Sequence, residues 1–274
     1  MTRALHSEPE PANDEVSSAV AAPDAPVPNS ESVDTAALAV PSRVSVVTGA
    51  PLSVYVVIAA FNEAESIGDV VRELIVRYPH VVVVDDGSSD ATAELALAAG
   101  ACVLTHLINR GQGAALQTGI SYALGRGAEL IVTFDADGQH DVADIAALLN
   151  PIYDGRAHIT LGSRFLDKRE KMPLGRRIVL FFGIIFTRLM ARARLSDAHN
   201  GLRAFSRYAA QRIDLQLDRM AHASEIVDQV VQSGLPYREV PVRVRYTAYS
   251  LRKGQRNGAA LRVAFDYLMA RLMR

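Results

Sequence analysis

Glu129-Leu130-Ile131-Val132-Thr133-Phe134-Asp135-Ala136-Asp137-Gly138-Gln139-His140 decides how the chain is read. An apolar run of strand length ends in two carboxylates one residue apart. A short run with no polar alternation reads as a buried strand, and the acids then stand at its mouth. Such a pair suits a hard divalent cation, because Mg²⁺ and Mn²⁺ take oxygen ligands and keep positions open for substrate phosphates. The same residues also fit a helix N-cap after a strand, since Asp caps helices well. The flanking sequence has to decide.

Working outward, the run sits in a series of strand-helix pairs. Val54-Tyr55-Val56-Val57-Ile58-Ala59 reads as a buried strand. Asn62 is placed to cap a helix from Glu65 to about Tyr78, whose apolar positions Ile67, Val70, Val71 and Leu74 recur at helical spacing. Val81-Val82-Val83-Val84 is a second strand, running into the polar turn Asp85-Asp86-Gly87-Ser88-Ser89-Asp90. A helix near Thr92–Ala99 ends at Gly100. The spacing then predicts a strand over Cys102–Leu107, the turn Asn109-Arg110-Gly111-Gln112-Gly113, and a helix from Ala114 to about Leu124. A helix over Val142–Leu149 follows the acid pair. This alternation predicts an α/β fold with a mostly parallel sheet flanked by helices. Ligands bind such sheets at the carboxyl ends of the strands. Asn62, Asp85, Asp86, Arg110, Asp135 and Asp137 all fall there, and their convergence is the argument for a site.

The second half is less regular. Ile159-Thr160-Leu161-Gly162-Ser163-Arg164 reads as a strand and turn, followed by a basic loop, Asp167-Lys168-Arg169-Glu170-Lys171. Asp197 to Phe205 is a turn into a strand. Val240 to Tyr246 alternates apolar and basic residues, as a strand with one solvated face does. Gly258 to Arg274 has the apolar spacing of an amphipathic helix, suited to a membrane interface, a partner or ordinary packing. Residues 1–50 are rich in Ala, Pro and acids, and read as a disordered acidic tail. The organisation expected is tail 1–50, catalytic domain 51–245 and a basic segment with the amphipathic helix over 246–274.

Composition narrows the function classes. The 274 residues are 49% hydrophobic, enough for a sizeable core, and the formal net charge of −1 carries no bulk nucleic-acid signal. The single cysteine, Cys102, lies in an apolar run and is expected to be a buried strand residue, in keeping with a reducing compartment. No secretory signal is visible. The longest apolar stretch, Ile178 to Phe186, is bracketed by arginines and is shorter than the ~20 residues a spanning helix needs. It suits a core helix or one lying in a membrane interface.

The motif order resembles the family 2 glycosyltransferases with a GT-A fold, and most closely the branch related to dolichyl- or polyprenyl-phosphate sugar synthases. The residues carrying the likeness are Ala59-Ala60-Phe61-Asn62-Glu63, Val84-Asp85-Asp86-Gly87-Ser88, Asn109-Arg110-Gly111-Gln112-Gly113, Asp135-Ala136-Asp137, Gly162-Ser163-Arg164-Phe165 and Asn200-Gly201-Leu202-Arg203. What the resemblance implies is sugar transfer from a UDP- or GDP-linked donor. Asn62, Glu63, Asp85 and Asp86 would hold base and ribose, with Ala59, Phe61, Arg110, Gly113 and Ala136 completing the nucleotide-sugar site. Asp135, Asp137 and Gln139 would hold Mg²⁺ or Mn²⁺, neutralising the diphosphate as it leaves. Ser250, Lys253 and Gly254 match a segment that closes over the donor. Direct displacement with inversion is the mechanism implied.

The acceptor admits two readings. A polyprenyl phosphate is anionic and needs cations rather than a base; Ser163, Arg164 and Arg177 match the branch's phosphate-binding positions, and arginine suits phosphate. Phe181, where the branch commonly has serine, and Asn200 depart from its pattern. A saccharide or lipid-linked glycan hydroxyl would instead need a base, with Asp197 the foremost candidate and His199, His222 and Glu225 behind it. The implied location is cytoplasmic, peripheral on the inner membrane face; an oligomer is compatible with the sequence. A non-catalytic nucleotide-sugar-binding module is the alternative from another class. An NAD-dependent oxidoreductase is disfavoured because Leu116 stands where the dinucleotide fingerprint expects a third glycine. A nucleotidyltransferase lacks its early glycine-rich, lysine-containing loop.

Overall fold

The strands follow from their lack of polar alternation. In the computed structural model, which describes residues 52–166, 195–197, 200–216 and 222–245, β1 (Val54–Ala60), β2 (His80–Asp85) and β4 (Leu130–Asp135) occupy the middle of the sheet. Val81 through Val84 and Leu130 through Val132 are at most 2% exposed, because helices cover both faces. Among the described residues the sheet has seven strands in the order β3-β2-β1-β4-β6-β5-β7, with β3 (Cys102–Thr105), β5 (Ile159–Ser163), β6 (Arg203–Ser206) and β7 (Tyr237–Pro241) completing it. Every pair is parallel except those of β6, which runs antiparallel to β4 and β5.

The predicted helices form: α1 (Ile67–Ile75), α2 (Thr92–Ala98), α3 (Gln112–Gly125) and α4 (Asp144–Tyr153). α1 buries Ile67, Val70, Val71 and Leu74, the stripe its spacing demands. Its N-cap is Ser66, where Asn62 was expected. Asn62 instead adopts a left-handed φ of 53° and accepts a hydrogen bond from the Ser89 amide at 2.9 Å, tying the end of β1 to the turn after β2. Two helices escaped the reading, α5 (Arg207–Ala210) and α6 (His222–Gln232). Ser206 caps the first, accepting from the Ala209 amide.

Apolar clusters fill both faces. One joins α1 and α4 to the sheet through Ile67, Leu74, Ile145 and Leu148; the other joins α3, α5 and α6 through Ile120, Phe205, Ile226 and Val230. Fully burying each such side chain stabilises the fold by ~1.5–3 kcal/mol. Cys102 departs from expectation. It is exposed, with its thiol 3.1 Å from the Tyr122 hydroxyl, because β3 lies at the sheet edge and pairs with β2 alone. The strand expected over Val240–Tyr246 begins earlier, as β7, and continues as an isolated bridge between Val244 and His140. Its alternation is real: Val242 and Val244 are buried and Arg243 and Arg245 exposed. The tail, the basic loop, Arg177, the apolar run, His199, Lys253 and the C-terminal helix lie outside the described residues, and no helix among the described residues is long and apolar enough to cross a membrane.

Candidate active site

Register brings the acidic motifs together. Ala60 pairs with Asp85 across β1 and β2, and Ala59 pairs with Asp135 across β1 and β4. The ends of three parallel strands therefore finish level. β6, being reversed, begins at the same edge, with Arg203 opposite Thr133. Above this edge lies a cleft of about 430 Å³, lined by Ala59, Ala60, Phe61, Glu63, Asp86, Asn109, Gly111, Gln112, Asp135, Ala136, Asp137, Gly201, Arg203 and Ala223.

At one end of the cleft, Asp86 organises the loop before α3. Its carboxylate accepts from the amides of Arg110 (2.9 Å) and Gly111 (2.6 Å), and from His106 Nδ1 at 2.7 Å. His106 Nε2 lies 3.0 Å from the Thr118 hydroxyl on α3. Gly111, the N-cap of α3, has φ 94°, a conformation that disfavours any side chain. The helix N-terminus beside it favours anions. Asp85 is 3% exposed, accepts from the Ser88 hydroxyl, and lies behind the cleft lining. The Glu63 amide donates to Thr92 Oγ1 at 2.8 Å, which fixes the turn that carries its carboxylate into the cleft. Arg110 is exposed and Gly113 is buried in the first turn of α3.

In the middle stand Asp135 and Asp137. Burial, then the Asp135 charge, push the Asp137 carboxyl up to about 6; the Gln139 amide, donating to Oδ1 at 3.0 Å, pulls the other way, and Glu63 adds to the rise. Asp135 is held by His140 Nε2 at 2.8 Å and by the Gln112 side-chain amide at 3.4 Å. A β-carbon on Gly201 would overlap the Asp135 carboxylate, so a larger residue there would displace that carboxylate. Burial first, and the neighbouring Asp135 and Glu63 charges after it, disfavour the Asp137 carboxylate, a situation that a divalent cation relieves. Among the described residues no three His, Cys, Asp or Glu side chains are grouped to hold a metal by themselves. The acid pair therefore suits a cation that takes its remaining ligands from water and phosphate, as Mg²⁺ does.

Beyond Asp135, at the end of β5, Arg164 forms a buried bidentate pair with Asp197: Nε to Oδ2 is 2.7 Å and Nη2 to Oδ1 is 2.9 Å. Ser163 is buried and hydrogen-bonded to the Ser196 hydroxyl at 2.6 Å. The Ser196 amide donates to Glu239 at 2.8 Å and the Asp197 amide at 3.2 Å; burial raises the Glu239 carboxyl. Asp197, singled out as a base, thus has both oxygens engaged by a guanidinium. Glu225, the weaker candidate, is buried in α6 and accepts from the Gln216 amide at 3.1 Å.

Among the residues of the cleft or its support that went unassigned from sequence are Gln112, His106, His140 and Arg203. Three of them stood inside motifs already quoted, so their presence was visible while their direction was not. His106, lying between motifs, offered no signal.

Likeness to known proteins is extensive. The profile described as Glycosyl transferase family 2 matches residues 55–214. An uncharacterized protein of Methanocaldococcus jannaschii is 40% identical over 224 residues, covering 80% of this chain and 92% of the relative. The UDP-N-acetylglucosamine–dolichyl-phosphate N-acetylglucosaminyltransferase of Methanococcus voltae is 31% identical over 241 residues, covering 80% and 96%. Among solved structures, glucosyl-3-phosphoglycerate synthase of Mycobacterium tuberculosis, in complex with Mn²⁺, UDP and phosphoglyceric acid, superposes with a TM-score of 0.60 at 20% identity, covering 80% of this chain and 78% of that one.

Proposed function

The chain belongs to glycosyl transferase family 2, and on that premise we propose that it moves a hexosyl group from a nucleoside diphosphate sugar to a polyprenyl phosphate, with Mg²⁺ or Mn²⁺ at Asp135 and Asp137. The observation that carries the reading is the placement of Glu63, Asp135 and Asp137 together in the lining of one open cleft at the strand ends. The start of α3 and the loop anchored by Asp86 flank those acids, as a nucleoside diphosphate requires. The dolichyl-phosphate substrate in the name of the Methanococcus voltae relative supports the acceptor class.

The chain's residues divide the work. Asp86 holds the Arg110–Gly111 loop that faces the nucleoside. Asp135 and Asp137 would hold the cation, with Gln139 fixing Asp137 through its amide. When bound, the cation supplies charge neutralisation of the diphosphate as it leaves. On the acceptor side, Arg164 is kept oriented by Asp197, and its position at the end of β5 suits an incoming phosphate. A phosphate oxygen attacks without a base, in keeping with the engagement of both Asp197 oxygens by Arg164. Attack opposite the departing diphosphate would invert the anomeric centre. Outside the described residues, the proposal gives Arg177 to the acceptor phosphate, the apolar run to the lipid at the inner face of the membrane, and Lys253 to the segment that closes over the donor.

The test is incubation of the full chain with radiolabelled UDP- and GDP-sugars, Mn²⁺ or Mg²⁺, and polyprenyl phosphate. Metal-dependent label in the organic phase is the expected outcome. Label moving only to a saccharide would replace the acceptor, and nucleotide binding without turnover would make the protein a binding module. Flotation with anionic liposomes tests the membrane location, and a protein that stays at the bottom of the gradient refutes it.

A further inference from the structure

β3 stops at Thr105, two residues short of the strand expected through Leu107. The chain after it turns outward, and Leu107, Ile108, Asn109 and Arg110 are all exposed. Leu107 is fully exposed and Ile108 is 70% exposed. Single exposed aliphatics are ordinary on a protein surface. Two in succession on a loop held from beneath carry a hydration cost that a partner would remove.

Three ties hold this loop. The His106 amide donates to the Asp85 carbonyl at 2.9 Å, and the His106 ring bridges Asp86 and Thr118. The Arg110 and Gly111 amides donate to the Asp86 carboxylate. Between these points the Ile108 backbone rests on Gly87, where a β-carbon would come within 2.9 Å of the Ile108 carbonyl carbon. The backbone is thus fixed against the sheet edge while its two aliphatic side chains project from it.

Position gives the display a direction. Asn109 and Gly111 line the cleft, as does the exposed Phe61, so the loop forms part of the cleft's rim. Leu166 stands exposed past the end of β5, on the other side of β1 and β4 in the strand order. Among the described residues, four of the seven exposed large apolar side chains therefore follow the carboxyl ends of β1, β3 and β5, which marks this rim as the apolar one. A stable protein partner needs roughly 800 Å² of surface, far more than two side chains offer, whereas a bilayer needs no matching shape. Arg110, exposed at the same tip and outside the cleft lining, complements anionic headgroups.

We propose that the Leu107–Arg110 loop is a membrane anchor: Leu107 and Ile108 enter the acyl boundary of an anionic bilayer, Arg110 meets its headgroup phosphates, and the mouth of the cleft turns to the lipid. The choice of partner rests on the polyprenyl-phosphate reading above, whose acceptor lies in such a surface.

Two measurements on the full chain test it. In a Cys102→Ser background, an environment-sensitive fluorophore is attached at Leu107→Cys and, as the control, at Leu97→Cys, an exposed position on α2. With phosphatidylcholine vesicles containing phosphatidylglycerol, emission from position 107 should shift to the blue and emission from position 97 should not. The second measurement is transfer. At limiting vesicle concentration the double variant Leu107→Ser, Ile108→Ser should lose about 10- to 100-fold in turnover of vesicle-borne polyprenyl phosphate, while turnover of a short-chain, water-soluble polyprenyl phosphate stays at the wild-type rate. A protein that binds vesicles with no shift at 107, or that stays off them altogether, overturns the proposal. A shift that follows protein concentration without lipid also overturns it and makes the loop a contact between copies. Equal loss with both acceptors, or with neither, overturns it as well. If the wild type transfers to neither acceptor, the polyprenyl-phosphate reading falls, and the fluorophore alone decides the anchor.

Discussion

Asp137→Asn should make the metal-free protein more stable while abolishing the proposed metal-dependent transfer. The side chain keeps its shape, and an amide oxygen can still accept from Gln139. What disappears is a charge that burial and Asp135 disfavour, as the rise from 3.8 to about 6 records. At ~1.36 kcal/mol per pKa unit that rise corresponds to ~3 kcal/mol. Partial solvent screening reduces it to about 1–2 kcal/mol. The sign follows from proton linkage. The folded state binds this proton more tightly than the unfolded chain, so the wild type carries no penalty below pH 3.8 and loses stability as pH rises through about 6. Asparagine is free of that loss. In EDTA at pH 8 the variant should melt about 2–8 °C above wild type, and the gap should close toward pH 4. Mn²⁺ with nucleoside diphosphate should reverse the order, raising the melting temperature of the wild type alone. A variant no more stable than wild type at pH 8, or a gap that persists at pH 4, would refute the reading of Asp137 as a buried carboxylate held beside Asp135.

Other expectations are simpler. Gly201→Ala drives a methyl group into the Asp135 carboxylate; turnover should fall ~100-fold, as displacement of a catalytic group by about 1 Å does, and steady-state assay of the purified variant checks it. Asp197→Ala leaves Arg164 buried without its bidentate partner, and urea unfolding should show a loss of about 3–5 kcal/mol. His106→Phe removes one hydrogen bond from the buried Asp86 carboxylate. It should lower stability by about 1.5–3 kcal/mol and quicken hydrogen exchange at the Arg110 and Gly111 amides; unaltered exchange would show that His106 does not support the loop.

The parts of the fold legible in the sequence are those whose burial is two-sided. Val81–Val84 and Leu130–Val132 leave no doubt about a covered sheet, because a solvated face would demand alternation. β6 is only four residues long; its reversal follows from register with β4, which local sequence does not encode. Cys102 went wrong for a related reason. Apolar neighbours argue for burial, but an edge strand has a partner on one side only, and strand order is a long-range property. In the site, acids at strand ends were visible because their chemistry is local. Pairing was not: Asp197 lies 33 residues from Arg164, and nothing near either residue announces that the proposed base is the other's counter-ion.

That pairing bears on the acceptor. If a hydroxyl were the nucleophile and Asp197 its base, the proton would cancel the charge that pairs with Arg164, whose side chain is 8% exposed. Losing that charge is expensive in a buried site. If a phosphate is the nucleophile, the pair works intact. Asp197 fixes the rotamer of Arg164 at the end of β5. Stations along the sheet edge then follow the order of charges in the proposed reaction: a carboxylate-bound cation would meet the leaving diphosphate at the end of β4, and an oriented guanidinium would stand at the end of β5 where an anionic nucleophile enters. A hydroxyl acceptor leaves the last station without a purpose, and it is this mismatch, more than the likeness to any relative, that favours a lipid phosphate.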